Sequence, residues 1–174
     1  DGQLPVERLM SELHAKMGYV KQQLLLFLFE LGFEKPSRRS FDFRRHPEIP
    51  EIEISRGGLN FYSPNRIVKS PVLLMRIFET AARLRMPLTR EAGRLVREFG
   101  YLVDDNFRAN SEVRRAFQNI LQIPAGPVNV LEQMLETGFL LRLIPEFGGI
   151  VDRIQCDAYH LYPVDRHSLR TVYC

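Results

Sequence analysis

The amino-acid sequence predicts a mainly α-helical protein: an orthogonal helical bundle with one long N-terminal helix and a small β-hairpin. Three observations predict it. Apolar residues recur at spacings of three and four in several separate stretches, the period of a helix with one buried face. Capping residues or prolines stand where those stretches begin, and Gly or Pro where they end. Strict alternation of apolar and polar residues occurs around one glycine pair only, Gly57-Gly58.

The first element is a long helix from Pro5 to Phe33. Proline suits a first helical turn, Leu9, Leu13, Met17, Val20, Leu24 and Phe27 form its apolar face, and Gly32 is placed to end it. The greasiest segment, Leu24–Phe29, is bracketed by Lys21 and Glu30 and reads as core. Lys35 to Pro50 holds prolines, serines and basic residues and reads as a connector or exposed flap. Ile52 and Ile54, then Leu59 and Phe61, alternate about the glycine pair and make the hairpin. From Ser70 the pattern is helical again. Ser70 and Pro71 open a helix with Leu74, Ile77, Phe78, Ala81 and Leu84 facing inward, ended by Pro87. Thr89 caps the next, with Ala92, Leu95, Val96 and Phe99 buried and Gly100 ending it. Asn110 or Ser111 opens a third, burying Val113, Phe117, Ile120 and Leu121 before Pro124. A fourth runs from Pro127 through Leu135 with Gly138 as its C′ residue, and Phe139–Ile144 is a short fifth broken by Pro145. Short joints between such helices favour packing on sequence neighbours. The resulting division is 1–35 long helix, 36–69 basic connector and hairpin, 70–145 helical bundle, and 146–174 a linker with the start of a further domain.

With 45% hydrophobic and 26% charged residues, the chain has the composition of a soluble globular protein and not of a disordered tail. No apolar run approaches the roughly 20 residues that span a bilayer, so no membrane role is expected. The opening Asp1-Gly2-Gln3-Leu4-Pro5 lacks the basic and apolar regions of a signal peptide, and an Asp in place of Met reads as an excised piece. Two cysteines, Cys156 and Cys174, make neither a disulfide framework nor a zinc motif, which fits a reduced, cytoplasmic setting. The net charge of +3 is mild. Its local concentration is Arg38, Arg39, Arg44, Arg45 and His46, with Phe41 and Phe43 between them. A solvated loop explains this cluster more simply than nucleic-acid binding, which is not expected without a recognition helix.

His167 is the chemical candidate. It lies two residues past Asp165, a possible N-cap, and Ser168-Leu169-Arg170-Thr171-Val172 follows at helical spacing. A neutral imidazole there is a competent metal ligand, and equally a solvated or hydrogen-bonded first-turn residue. His160, among Tyr159, Leu161 and Tyr162, reads as structural, and Asp157 and Asp165 read as capping and turn residues before acid–base partners. Asp104-Asp105-Asn106 lacks the glycine and distal glutamate of a calcium loop and reads as a turn. Gly57-Gly58 and Gly148-Gly149 are too short and isolated to cradle phosphates.

Longer stretches carry a resemblance. The run Pro145-Glu-Phe-Gly-Gly-Ile-Val, followed by Gln155-Cys-Asp-Ala-Tyr-His-Leu-Tyr-Pro-Val-Asp-Arg-His-Ser-Leu-Arg, resembles the bifunctional PII uridylyltransferase/uridylyl-removing enzymes of bacterial nitrogen regulation. There it matches the segment that joins a central helical region to an HD-type phosphohydrolase domain. Arg56-Gly-Gly-Leu, Leu73–Phe78, Leu102-Val-Asp-Asp-Asn-Phe-Arg and Gly138-Phe-Leu-Leu-Arg-Leu-Ile-Pro-Glu-Phe fit the central region too. Pro163, Arg166 and Cys156 depart from the family pattern, which has Thr, an acid and a bulky or apolar residue there. The resemblance implies that the parent transfers UMP from UTP to the PII protein, removes it with Mg or Mn, and responds to glutamine. It implies that His167 is the first ligand of an HD site that these residues leave incomplete, since no His-Asp dipeptide occurs. The transferase half depends on a Gly-Ser turn and an Asp-x-Asp pair. Neither occurs, which places that half before Asp1 and leaves this segment as an inactive connector between two domains. Two rivals stand beside this reading: a fragment of another HD-type phosphohydrolase, and a helical, arginine-rich nucleic-acid-binding module.

Overall fold

The computed structural model describes residues 4–31, 44–45, 49–55, 57–124, 127–153 and 164–172. The chain is mainly helical and divides into two compact units: Asp1–Ser40 with Gly148–Ser168, and Phe41–Phe147 with Leu169–Cys174.

The larger unit begins with a three-stranded antiparallel sheet, β1 (Arg44–Arg45), β2 (Ile52–Ser55) and β3 (Gly58–Phe61), in that order. The alternation expected of the hairpin is present: Ile52 pairs with Phe61, and both are buried along with Leu59. Ser55 closes the turn by donating its hydroxyl to the Gly58 carbonyl at 2.8 Å. The first strand lies within the stretch read as a connector or exposed flap. Arg44 and Arg45 pair with Ile54 and Glu53, so the free edge of β2 recruits them whatever their own propensity. On its other side β3 meets the chain after the third helix: the Leu59 N–H donates to the Pro87 carbonyl and the Thr89 N–H to the Leu59 carbonyl, each at 2.9 Å.

Among the described residues this unit continues with seven α-helices, α2 (Pro64–Lys69), α3 (Leu73–Leu84), α4 (Arg90–Glu98), α5 (Asp105–Ala109), α6 (Ser111–Gln122), α7 (Val130–Glu136) and α8 (Phe139–Leu143), with a 3-10 turn at Phe99–Leu102 after α4. Four starts are fixed by side chains that accept a backbone N–H two or three residues on: Thr89 from Ala92, Asp104 from Phe107, Asn110 from Glu112, Asn129 from Glu132. Gly138, at φ 72°, follows α7 as expected. Helix α3 is the pivot and packs on α6, α7 and β3, with Leu74, Ile77, Phe78 and Ala81 fully buried. The Phe78 and Phe139 rings lie 5.0 Å apart, and Phe107 meets Phe139 edge-on at 6.1 Å.

The sequence reading needs four corrections in this unit. The helix expected from Ser70 starts at Leu73, preceded by the separate short α2. The fourth helix begins at Val130 and not at Pro127, because Asn129 supplies the cap. Asp104 does more than turn the chain: it accepts the Phe107 N–H at 2.8 Å and so caps α5. Leu121, expected in the core, is exposed, since α6 buries Val113, Ala116 and Ile120.

The smaller unit holds α1 (Pro5–Glu30), the residues from Gly148 that end a 3-10 turn, and most of α9 (Val164–Val172). Here lies the largest correction. The apolar face expected to be core is open: Leu9, Leu13, Met17, Val20, Leu24 and Phe27 are all exposed. Periodicity had identified an apolar stripe correctly, but burial requires a covering surface. The partly buried positions of the N-terminal half are instead Glu7, Ser11 and His14, on a neighbouring strip of the helix.

Candidate functional site

His167 lies in the first half of α9 and is exposed. Asp165 is not its N-cap. The helix already starts at Val164, whose N–H donates to the Arg153 carbonyl at 2.8 Å. Asp165 is instead 2% exposed and turns back to accept the Asp152 N–H at 3.3 Å. Asp152 has a positive φ of 54°, a conformation that short polar residues tolerate. Its own carboxylate meets His14 Nδ1 on α1 at 2.7 Å. The chain His14–Asp152–Asp165 therefore ties the N-terminal helix to the start of α9 within the smaller unit.

Among the described residues, no group of three His, Cys, Asp or Glu side chains could hold a metal ion. Cys156, Asp157 and His160 lie outside the described residues, as do Arg38, Arg39 and His46 of the basic cluster. His14 and Asp152 were not distinguished in the sequence. They are 138 residues apart, and nothing in either neighbourhood marks the pair.

Among the described residues, the larger unit includes an open hollow of about 230 Å³ lined by the apolar Val113, Phe117, Leu143 and Ile144 together with Arg108, Arg114 and Gln118. Both guanidinium groups are engaged in the fold: Arg108 donates to the Arg142 carbonyl at 2.8 Å and pairs with Asp105, and Arg114 bonds the Ala109 carbonyl. It contains no nucleophile or acid–base pair. Among the described residues, no helix is long and apolar enough to cross a membrane.

A mainly helical domain with a small three-stranded sheet is the class of protein that the described residues define. Residues 53–143 match the family described as the uridylyltransferase GlnD third domain. The chain belongs to that family. Relatives named bifunctional uridylyltransferase/uridylyl-removing enzyme include those of Ruegeria pomeroyi, 37% identical over 75% of this chain, and Novosphingobium aromaticivorans, 31% identical over 98%. The Zymomonas mobilis enzyme of the same name is 35% identical over 98% of the chain. The chain spans only 14% to 19% of the length of these relatives. No solved structure matches.

Proposed function

We propose that the chain is the central segment of a cytoplasmic enzyme that attaches UMP from UTP to the PII protein and removes it in response to glutamine. In this reading, residues 1–35, 36–69 and 70–145 form the helical connector. Residues 146–174 lead into an HD hydrolase domain, and a nucleotidyltransferase domain lies on the other side. The carrying observation is the family match over residues 53–143, extended by relatives that align with 98% of the chain. Physical support comes from the bundle: helices joined by short, capped turns hold relative position better than a flexible linker does.

His167 is the residue assigned to Mg or Mn. His167 is exposed, and in this reading the other ligands come from outside the described residues, among which no group of three His, Cys, Asp or Glu side chains could hold a metal ion. No chemical step is assigned to this segment. The test is His167→Ala in the full-length enzyme, with Mn binding followed by electron paramagnetic resonance. Loss of Mn binding and of UMP removal, with UMP transfer retained, is the expected result. Unchanged removal would reject His167 as a ligand.

A further inference from the structure

Helix α1 carries a finer pattern than an apolar face. Val6, Leu13, Val20 and Phe27 interleave with Met10, Met17, Leu24 and Leu31, so apolar residues follow one another at spacings of four and three from end to end. A strict seven-residue repeat over four heptads is a seam for another helix; a helix packed on a globular core needs only the looser 3.6 period. In heptad terms the first four are d positions and the second four a positions. Every one of them is between 41% and 62% exposed. One helix thus offers on the order of 750 Å² of surface, about one partner's share of a standard interface.

The flanking positions say what covers it. Across the middle two heptads they are His14, Lys16, Lys21 and Gln23, with no acid among them, and Lys16 and Lys21 are exposed. A second copy of α1 packed parallel would set Lys16 against Lys21. Packed antiparallel, it would set His14 against Lys21. The first opposes like charges, and neither arrangement sets an acid opposite Lys16 or Lys21. Charge complementarity therefore selects a different helix, one with acidic flanks.

We propose that α1 is covered in the whole enzyme by an amphipathic helix from outside residues 1–174. That helix would carry its own apolar heptad seam and Asp or Glu opposite Lys16 and Lys21. The relatives leave ample chain to supply it, since this segment spans 14% to 19% of their length. The proposal rests on the reading of the chain as part of such an enzyme.

The test compares the 174-residue chain with the full-length enzyme, each carrying Val20→Cys. Reaction with N-ethylmaleimide is followed at that position by peptide mass spectrometry. Ala15→Cys, on the opposite side of the helix, serves as the control expected to react equally fast in both. The expected result is that the cysteine at position 20 reacts at least about tenfold more slowly in the full-length enzyme. Adding Lys16→Glu and Lys21→Glu should then restore the rate about fivefold. Equal rates at position 20 in the two forms overturn the proposal, and so does charge reversal without effect. A sedimentation result showing the short chain as a dimer with position 20 already protected assigns the stripe to a second copy instead. Transfer and removal activities of the same full-length preparation separate the two readings. Protection in a protein without either activity refutes the functional reading and keeps the seam, whereas activity without protection does the reverse.

Discussion

Gly58 of β3 lies directly against the backbone at Pro87, and replacing it is a sharp test of the fold. Its φ is 130°, a conformation side chains rarely adopt, and a Cβ placed there would lie 2.2 Å from the Pro87 carbonyl oxygen. Gly58→Ala must therefore push β3 away from the chain at Pro87. The backbone conformation alone costs about 1–3 kcal/mol for a residue with a Cβ. The displacement also strains the hydrogen bonds from Leu59 to Pro87 and from Thr89 to Leu59, both 2.9 Å, each worth about 1 kcal/mol. A loss of about 3–4 kcal/mol is expected, read as a fall in the urea midpoint with unchanged slope by circular dichroism. Gly57→Ala is the control: the nearest atom to its new methyl group would be Ser55 Oγ at 3.9 Å, so its effect should stay below about 1 kcal/mol. The reasoning fails if Gly58→Ala costs less than about 1 kcal/mol, or if both variants cost the same.

Phe139→Ala should lose about 3–5 kcal/mol in the same assay, because its 1% exposed ring packs against both Phe78 and Phe107; a loss under about 1 kcal/mol would contradict that packing. Thr89→Ala should cost about 1 kcal/mol through loss of the bond from the Ala92 N–H, and Thr89→Ser should recover most of it. Arg94→Ala should show a pH-dependent cost. Hydrogen bonding from Arg94 holds the Glu91 carboxyl below its ordinary value of 4.5, against an opposing push from burial. A carboxyl depressed in the folded state stabilises above its unfolded pKa, and that stabilisation fades as pH falls through the folded value. The variant should thus be weaker by no more than about 1 kcal/mol at neutral pH, given the exposure of the pair, and the gap should narrow below about pH 4. A gap independent of pH would refute the assignment.

The bundle between residues 70 and 145 was largely readable because several of its helices carry their own boundary signals, such as Thr89, Asn110 and Gly138, whereas α3 lacks a side-chain cap and begins later than its prolines suggest. Elements defined by neighbours were not. Arg44–Arg45 becomes a strand only because β2 presents an edge, and two residues leave no period to read. Helix α2 has Ser63 and Pro64 at its start but is six residues long, too short for a face to repeat. The exposed stripe of α1 marks a further limit: spacing shows which residues share a face, and not whether the covering surface lies within the same stretch of chain. His167 was marked by the run around it, whereas the His14–Asp152 pair exists only after residues 138 apart meet. What the sequence could not supply was convergence, which depends on long-range packing and not on local pattern.

The central proposal is that residues 1–174 hold two reaction centres of a longer enzyme in relative position and supply no complete centre of their own. The most direct measurement uses labelled UTP and uridylylated PII with Mn present, and compares the 174-residue chain with the full-length enzyme for UMP transfer and UMP release. The account predicts both reactions from the full-length enzyme, and none above the uncatalysed background from the chain alone. Catalytic transfer or release by the 174-residue chain would contradict it.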